Sequence, residues 1–182
     1  MLKADLHCHS TCSDGTVSPQ HLVTLAKERG LFYLSITDHD SIASYPLALP
    51  QALSLGVTLL PGVEFSTSYQ GKSVHVLAYA FPPENRPLQK LCDWHRERRI
   101  RRVQEILRHL RAQGIDVKES DLNQSAESIG RPHIAQALMK KGIVSSVQQA
   151  FKIYLKEGGS CFVPDPAMDL EMTLEIIRQG KG

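Results

Sequence analysis

Three strand-like segments within the first 64 residues each end in side chains of the kind that bind metals, and this recurrence restricts the fold more than any other feature of the chain. Residues 2–9 alternate, with Leu2, Ala4, Leu6 and Cys8 on one face and Lys3, Asp5, His7 and His9 on the other. Period two marks a strand. Ser18-Pro19 then gives a helix N-cap and a proline at the first helical position. Leu22, Val23, Leu25 and Ala26 form an apolar stripe, and Gly30 is the stop. A second strand, 31–36, ends in Thr37-Asp38-His39-Asp40. A helical stretch over 42–55, disturbed by Pro46 and Pro50, leads to a third strand, 57–60, and to Pro61-Gly62-Val63-Glu64. Residues 65–69 and 73–79 read as a hairpin around Gln70-Gly71. Strands and helices alternating at this spacing predict an α/β sheet or barrel with largely parallel strands.

The pattern changes after Pro82-Pro83. One long helix is expected over 88–113, with Leu91, Ile100, Val103, Leu107 and Leu110 near helical spacing and Gly114 as its stop. Two shorter helices, 132–141 and 147–157, end at Gly142 and Gly158-Gly159. Three units follow: 1–85 as the first part of the α/β region, 86–160 as an all-helical subdomain, and 161–182 as a return to the α/β region. Cys161-Phe162-Val163 reads as a strand in that last unit and 170–179 as a helix. An α/β unit would next feed another strand, where the chain ends at Gly180-Lys181-Gly182. The expectation is a fragment or truncated reading frame, with an uncovered sheet edge that favours association.

With 182 residues, 42% of them hydrophobic and 22% charged, the chain can build one packed core and a small appended subdomain. A net charge of +2 does not by itself mark a nucleic-acid binder. The four scattered cysteines fit reduced thiols in a cytosolic protein. No basic segment followed by an apolar stretch opens the chain, and no run nears the ~18 apolar residues of a membrane span. A cytoplasmic protein is expected.

His7 and His9, two apart on a strand, point the same way with Cα atoms roughly 6.5 Å apart, so both imidazoles can reach one ion. Asp5 shares their face and is placed to orient a ligating ring through its second nitrogen. A pair of solvent-facing histidines on an edge strand is the alternative. Asp14, His39 with its neighbours Asp38 and Asp40, Glu64 and His75 then bring ligand types from four further segments. In a parallel α/β fold the carboxyl ends of successive strands meet at one mouth. Imidazole with carboxylate suits manganese, iron or zinc. Cys8 alternates away from the histidines, and Cys12 has no second pair to complete a thiolate site.

Asp5-Leu6-His7-Cys8-His9-Ser10, Ser13-Asp14-Gly15, Thr37-Asp38-His39-Asp40, Gly62-Val63-Glu64-Phe65-Ser66 and His75-Val76-Leu77 together resemble the ordered motifs of the PHP (polymerase and histidinol phosphatase) superfamily. The helical block with Gly130-Arg131-Pro132-His133 is similar to the branch that acts on nucleoside 3',5'-bisphosphates and, as 5'-to-3' exonucleases, on short RNA. The resemblance implies a distorted seven-stranded β/α barrel, incomplete at its C-terminus, with up to three divalent ions. By the same likeness His7, His9 and Glu64 hold the first, Asp14 and His39 the second, and Glu64 with His75 the third, while Asp5, Asp38 and Asp40 support them. Family members complete the site with a later histidine and an Asp-x-His pair. Neither follows here, so each ion would lack a ligand, and the implication is either a fragment or truncated reading frame, or impaired activity.

The expected chemistry is hydrolysis of a nucleotide or short oligonucleotide phosphate ester, since divalent ions activate water and neutralise phosphoryl oxygens. Arg131 and His133, at a Pro-initiated helix start, are the candidates for the basic group that steadies those oxygens, against the alternative of a surface helix cap. The run from His95 to Arg102 is read as a solvated helix face because Glu97 and Glu105 interleave its arginines. His21, His95 and His109 are taken as structural, and Trp94 and Tyr154 as packing groups. A catalytically impaired metal- or RNA-binding module is the competing reading from another class. A small-metabolite phosphatase of the histidinol-phosphatase type is disfavoured by the helical block.

Overall fold

Strand β1 (Ala4–Cys8) runs parallel to β2 (Tyr33–Ile36), which runs parallel to β3 (Thr58–Leu59). The computed structural model describes residues 3–122, 126–165 and 167–182, so Leu2, expected at the head of the first strand, lies outside them. Helices α1 (Pro19–Glu28) and α2 (Ser44–Leu55) make the two crossovers. Ser18 caps α1 by accepting from the His21 N–H, and Gly30 turns the chain with φ +69°. Val23, Ala26, Ala48 and Ala52 from the helices bury against Leu34, Ile36 and Leu59 of the sheet. Each larger side chain removed from water there contributes about 1.5–3 kcal/mol.

The alternation in β1 does not divide core from solvent as expected. β1 is an edge strand, and Ala4 and Leu6 are exposed. Between Asp5 and Cys8 its register against β2 shifts, with Asp5 opposite Leu34 but Cys8 opposite Ile36. One extra residue therefore bulges out beside the histidines, a device that re-aims side chains near sites.

A second sheet has the order β5-β4-β6. In it β4 (Gly62–Tyr69) pairs antiparallel with β5 (Lys72–Tyr79) and parallel with β6 (Met168–Asp169). Gln70 and Gly71 join the hairpin with φ of +49° and +74°, the paired left-handed conformation that suits a twisted two-residue turn. β4 starts three residues earlier than the pattern suggested. At Gly62 a Cβ would overlap the Ser35 hydroxyl, so only glycine lets β4 pass this close to β2. A parallel bridge between His39 and Glu64 links the two sheets at the chemically important residues. Among the described residues the strands form a partial parallel sheet and a mixed one, not a closed barrel.

Helix α3 (Arg86–Ala112) starts earlier than expected because the Asn85 side chain caps it, accepting from the Leu88 N–H. Its first half packs Leu88, Leu91 and Cys92 against Phe65, Ala78 and Ile177 of the second sheet and α6 (Leu170–Gln179). Its second half packs Val103, Ile106, Leu107 and Leu110 against α4 (Arg131–Lys140) and α5 (Val147–Ala150), which continues as a π-helical turn, Phe151–Leu155. One rigid rod therefore joins the sheet to the helical region. The strand expected at Cys161-Phe162-Val163 is absent: the Val163 carbonyl accepts from Arg102 Nε and Nη2 at 3.0 and 2.8 Å, which takes it from any ladder. The strand of this region is β6 instead. No helix among the described residues is long and apolar enough to cross a membrane.

Candidate metal centre

Glu64, near the start of β4 and only 5% exposed, is surrounded by four imidazoles. His75 Nδ1 lies 2.7 Å from its Oε1, while His9 Nε2, His7 Nε2 and His39 Nδ1 lie 2.9, 3.1 and 3.6 Å from its Oε2. His7 comes from β1, His9 from just beyond it, His39 from the end of β2 and His75 from the hairpin partner strand. Asp14 joins from the loop after β1, 3.4 Å from His9 Nδ1 and 3.8 Å from His39 Nε2. All six candidate residues named from the sequence thus meet at one place.

They form three interlocking sets: His7, His9 and Glu64; His9, Asp14 and His39; His39, Glu64 and His75. Within each set one donor atom per residue lies within 4.8 Å of the others. Neutral imidazoles offer lone pairs, so such a cluster suits cations. His39 Nδ1 supports this fit, being buried with no hydrogen-bond partner among the described residues. Leaving such an atom unmatched costs on the order of 1–3 kcal/mol, and an ion between the rings would satisfy it. Burial works to raise the Glu64 carboxyl, but hydrogen bonds from His75 and His9, with the His39 ring nearby, hold it far below the usual carboxylate range. His39 is pushed down, first by burial and then by the Arg99 charge, and a neutral ring is the ligating form. At His9 burial alone would lower the ring, and the Glu64 and Asp14 partners reverse that.

The neighbouring aspartates hold the backbone. Asp38 is fully buried and accepts from the Ser10 N–H at 2.7 Å and from the Ser10 and Ser13 hydroxyls at 2.6 Å each, which pins the loop that carries Asp14. Gly15 closes that loop, where a Cβ would overlap the His9 carbonyl. Asp40, at φ +53°, accepts from the Ser66 N–H and from Arg99 Nε at 2.8 and 2.7 Å. Asp5 departs from expectation. Its carboxylate takes the backbone N–H of His7 at 3.2 Å and orients no imidazole.

The centre opens into a cavity of about 430 Å³ whose walls include Arg99, Arg102, Arg131, Phe151 and Phe162. Arg131 lies 5.7 Å over the Phe151 ring and donates to the Leu155 carbonyl. His133, paired with it in the sequence reading, does not face this space as a free group. Its ring is buried, with Nε2 2.7 Å from the Ser13 carbonyl and Nδ1 accepting from the Gly130 N–H. With both nitrogens engaged it has none left for an oxyanion.

The arginine run is likewise only half solvated. Arg98 and Arg102 each reach Asp165 at 2.6 Å, and Arg99 reaches Asp40 and the Ser66 hydroxyl, whereas Arg96 and Arg101 lie on the solvent side. Burial, outweighing Asp165, brings the Arg102 guanidinium down to about 10, so it stays charged at neutral pH. The signal was available: His95, Arg98, Arg99, Arg102 and Ile106 follow helical spacing on one face, and the flanking glutamates drew attention away from it.

A shared carboxylate among histidines from three strand regions, beside a cavity with arginines in its walls, is an arrangement suited to holding metal ions. Comparison with known proteins narrows the class. The chain belongs to the PHP domain family, whose model matches residues 5–159. It is 36% identical over 181 residues to a 5'-3' exoribonuclease of Haemophilus influenzae, covering 99% of this chain and 66% of that protein. With a 3',5'-nucleoside bisphosphate phosphatase of Chromobacterium violaceum it shares 30% identity over 177 residues, covering 94% of this chain and 61% of that one. A solved amidohydrolase from Chromobacterium violaceum, with bound sulfate and no metal, superposes with a TM-score of 0.90 at 30% identity, over 99% of this chain and 64% of that one. The chain therefore spans a little under two thirds of the length of these relatives.

Proposed function

We propose that the chain forms the metal-binding part of a hydrolase that removes phosphate from nucleotides, nucleoside 3',5'-bisphosphates among them, or from the ends of short oligonucleotides. The observation that carries this reading is one centre, with Glu64 ringed by His7, His9, His39 and His75, opening onto a cavity with three arginines in its walls. The names of the relatives and the sulfate held by one of them point the same way.

On this reading His7, His9 and Glu64 hold one ion, Asp14 and His39 a second, and Glu64 with His75 a third. Manganese is the first candidate and zinc or iron the alternatives. Bound divalent ions supply Lewis acidity and a lowered pKa for water at neutral pH. Arg131 and Arg99 take the phosphoryl oxygens, because fixed guanidinium donors in a partly desolvated cavity bind the substrate's phosphate through charge-assisted hydrogen bonds. Phe151 and Phe162 give the same cavity an apolar wall for a base. Asp38 and Asp40 keep the ligand-bearing backbone in place.

Phosphate release should be followed with a nucleoside 3',5'-bisphosphate, a 5'-phosphorylated RNA trinucleotide and histidinol phosphate, with manganese or with chelator. Release from either nucleotide substrate that chelator abolishes supports the assignment. Replacing Arg131 by Ala should then raise KM by about tenfold, the cost of roughly 1.4 kcal/mol of oxyanion binding, with a smaller change in kcat. Faster turnover of histidinol phosphate than of both nucleotide substrates would move the substrate to a small metabolite. Release that chelator leaves untouched would contradict the metal-dependent reading.

A further inference from the structure

The segment from Ala126 through the first turn of α4 to His133 reaches across to the loop that carries Asp14 and holds it by two consecutive backbone carbonyls. The Ser128 N–H donates to the Cys12 carbonyl at 3.1 Å, and His133 Nε2 donates to the Ser13 carbonyl at 2.7 Å. These carbonyls immediately precede Asp14. The ring has one arrangement that serves both of its contacts. Nδ1 accepts the Gly130 N–H at 3.0 Å, closing the first turn of α4, so the proton sits on Nε2 and points at Ser13. His133 is only 3% exposed and Ser128 only 2%, so water does not compete for either bond. From the other side the Ser13 hydroxyl is held by Asp38, and a Cβ at Gly15 would overlap the His9 carbonyl. Asp14 itself is less enclosed than the groups that hold its loop, its side chain 27% exposed between His9 and His39. Its position is therefore set by the backbone on either side of it.

We propose that His133 is a positioning residue: with Ser128 it clamps the helical region onto the Asp14 loop, and so sets the affinity of the ion site formed by His9, Asp14 and His39. The inference rests on the metal-centre reading above, but it concerns one site of the cluster and a residue that touches no ion. It also gives the helical region a second task. The turn that fixes Asp14 through His133 also begins with Arg131, so the clamp sets how far the cavity arginine stands from the ions. The His7, His9 and Glu64 set stands outside this control, since Glu64 is held in β4 and the clamp bonds only to carbonyls 12 and 13.

Two substitutions separate the functions of the ring. In His133→Asn the side-chain oxygen can still accept the Gly130 N–H, but its amide falls short of Ser13. In His133→Gln the longer amide can still donate to Ser13. The 182-residue chain, stripped of metal, should be titrated calorimetrically with manganese chloride, with Asp14→Asn marking which binding event belongs to the site in question. The expected result is a loss of about tenfold or more in affinity for that event in His133→Asn, with the remaining events unchanged and His133→Gln within about threefold of the unsubstituted chain. Linkage adds a check that needs no substitution and holds even if His133→Asn does not fold: manganese should slow amide hydrogen exchange across 126–134 in the unsubstituted chain. Titration of folded His133→Asn that matches the unsubstituted chain, or exchange across 126–134 that manganese leaves unchanged, would overturn the clamp. No manganese uptake by the unsubstituted chain would overturn the metal centre and the clamp with it, and so tells the two failures apart.

Discussion

At the scale of single residues, the centre depends on buried polar groups, and His95, like His39, keeps one ring nitrogen without a partner among the described residues. It lies on α3 fully buried, stacked on Phe65 at 6.0 Å, with Arg98 donating to Nδ1 at 3.1 Å and Nε2 left without a partner among the described residues. Burial, opposed by Asp40 and aided by Arg98 and Arg99, brings its pKa down to about 4 from an ordinary 6.5. Between those values the unfolded chain holds a proton that the folded chain does not. The resulting stability is complete above about pH 6.5 and is lost as pH falls toward 4. At about 1.4 kcal/mol per pH unit the loss sums to roughly 3 kcal/mol. Urea denaturation of the metal-free chain at pH 7 and pH 4.5, compared with His95→Gln, should show a steeper pH slope in the unsubstituted chain. Equal slopes would remove His95 from the account. Treating His95 as structural was a sequence judgement, but its contact with Asp40 joins residues 55 positions apart and no local pattern announces it.

At the scale of elements, α3 is what brings the two halves of the molecule into register. Its helical period was legible in Leu91, Val103, Leu107 and Leu110, as were α1 and the hairpin at Gln70-Gly71, because each rests on local chemistry: a cap, a stripe, a two-residue turn. Cys161-Phe162-Val163 was misread for the opposite reason. Its apolar run looks like a strand, but a guanidinium 61 residues away takes the Val163 carbonyl. β1 was found with the wrong faces, since edge position and a bulge are properties of the sheet and not of the alternating residues. Leu138 of α4 tests the packing that supports Arg131 and His133. It is fully buried in the helical core, so Leu138→Ala should cost about 2–5 kcal/mol in chemical denaturation. A cost below 1 kcal/mol would mean that this core does not hold α4 as described.

At the scale of the whole molecule, clustered ligands make folding and ion binding one process. Six candidate donor side chains from β1, the loop after it, the segment after β2, β4 and β5 meet only when both sheets are formed, so an ion held among them would bind the folded chain and favour it. Manganese at about 100 times its dissociation constant should add roughly 2.7 kcal/mol per tight site, seen as a rise in Tm that chelator reverses. A Tm indifferent to manganese and chelator would oppose that coupling. The six residues that cluster here were legible because each belongs to a short motif in or beside a strand. The arginines in the cavity wall were legible only as one helix face, since what Arg99 and Arg102 meet there is set when α3 lies across the second sheet.

The most direct test is anomalous diffraction at the manganese edge from crystals of the chain grown with manganese. The account predicts peaks within coordination distance of Glu64, flanked by His7 and His9 on one side and by His39 and His75 on the other. Manganese bound elsewhere, with no peak beside Glu64, would contradict it.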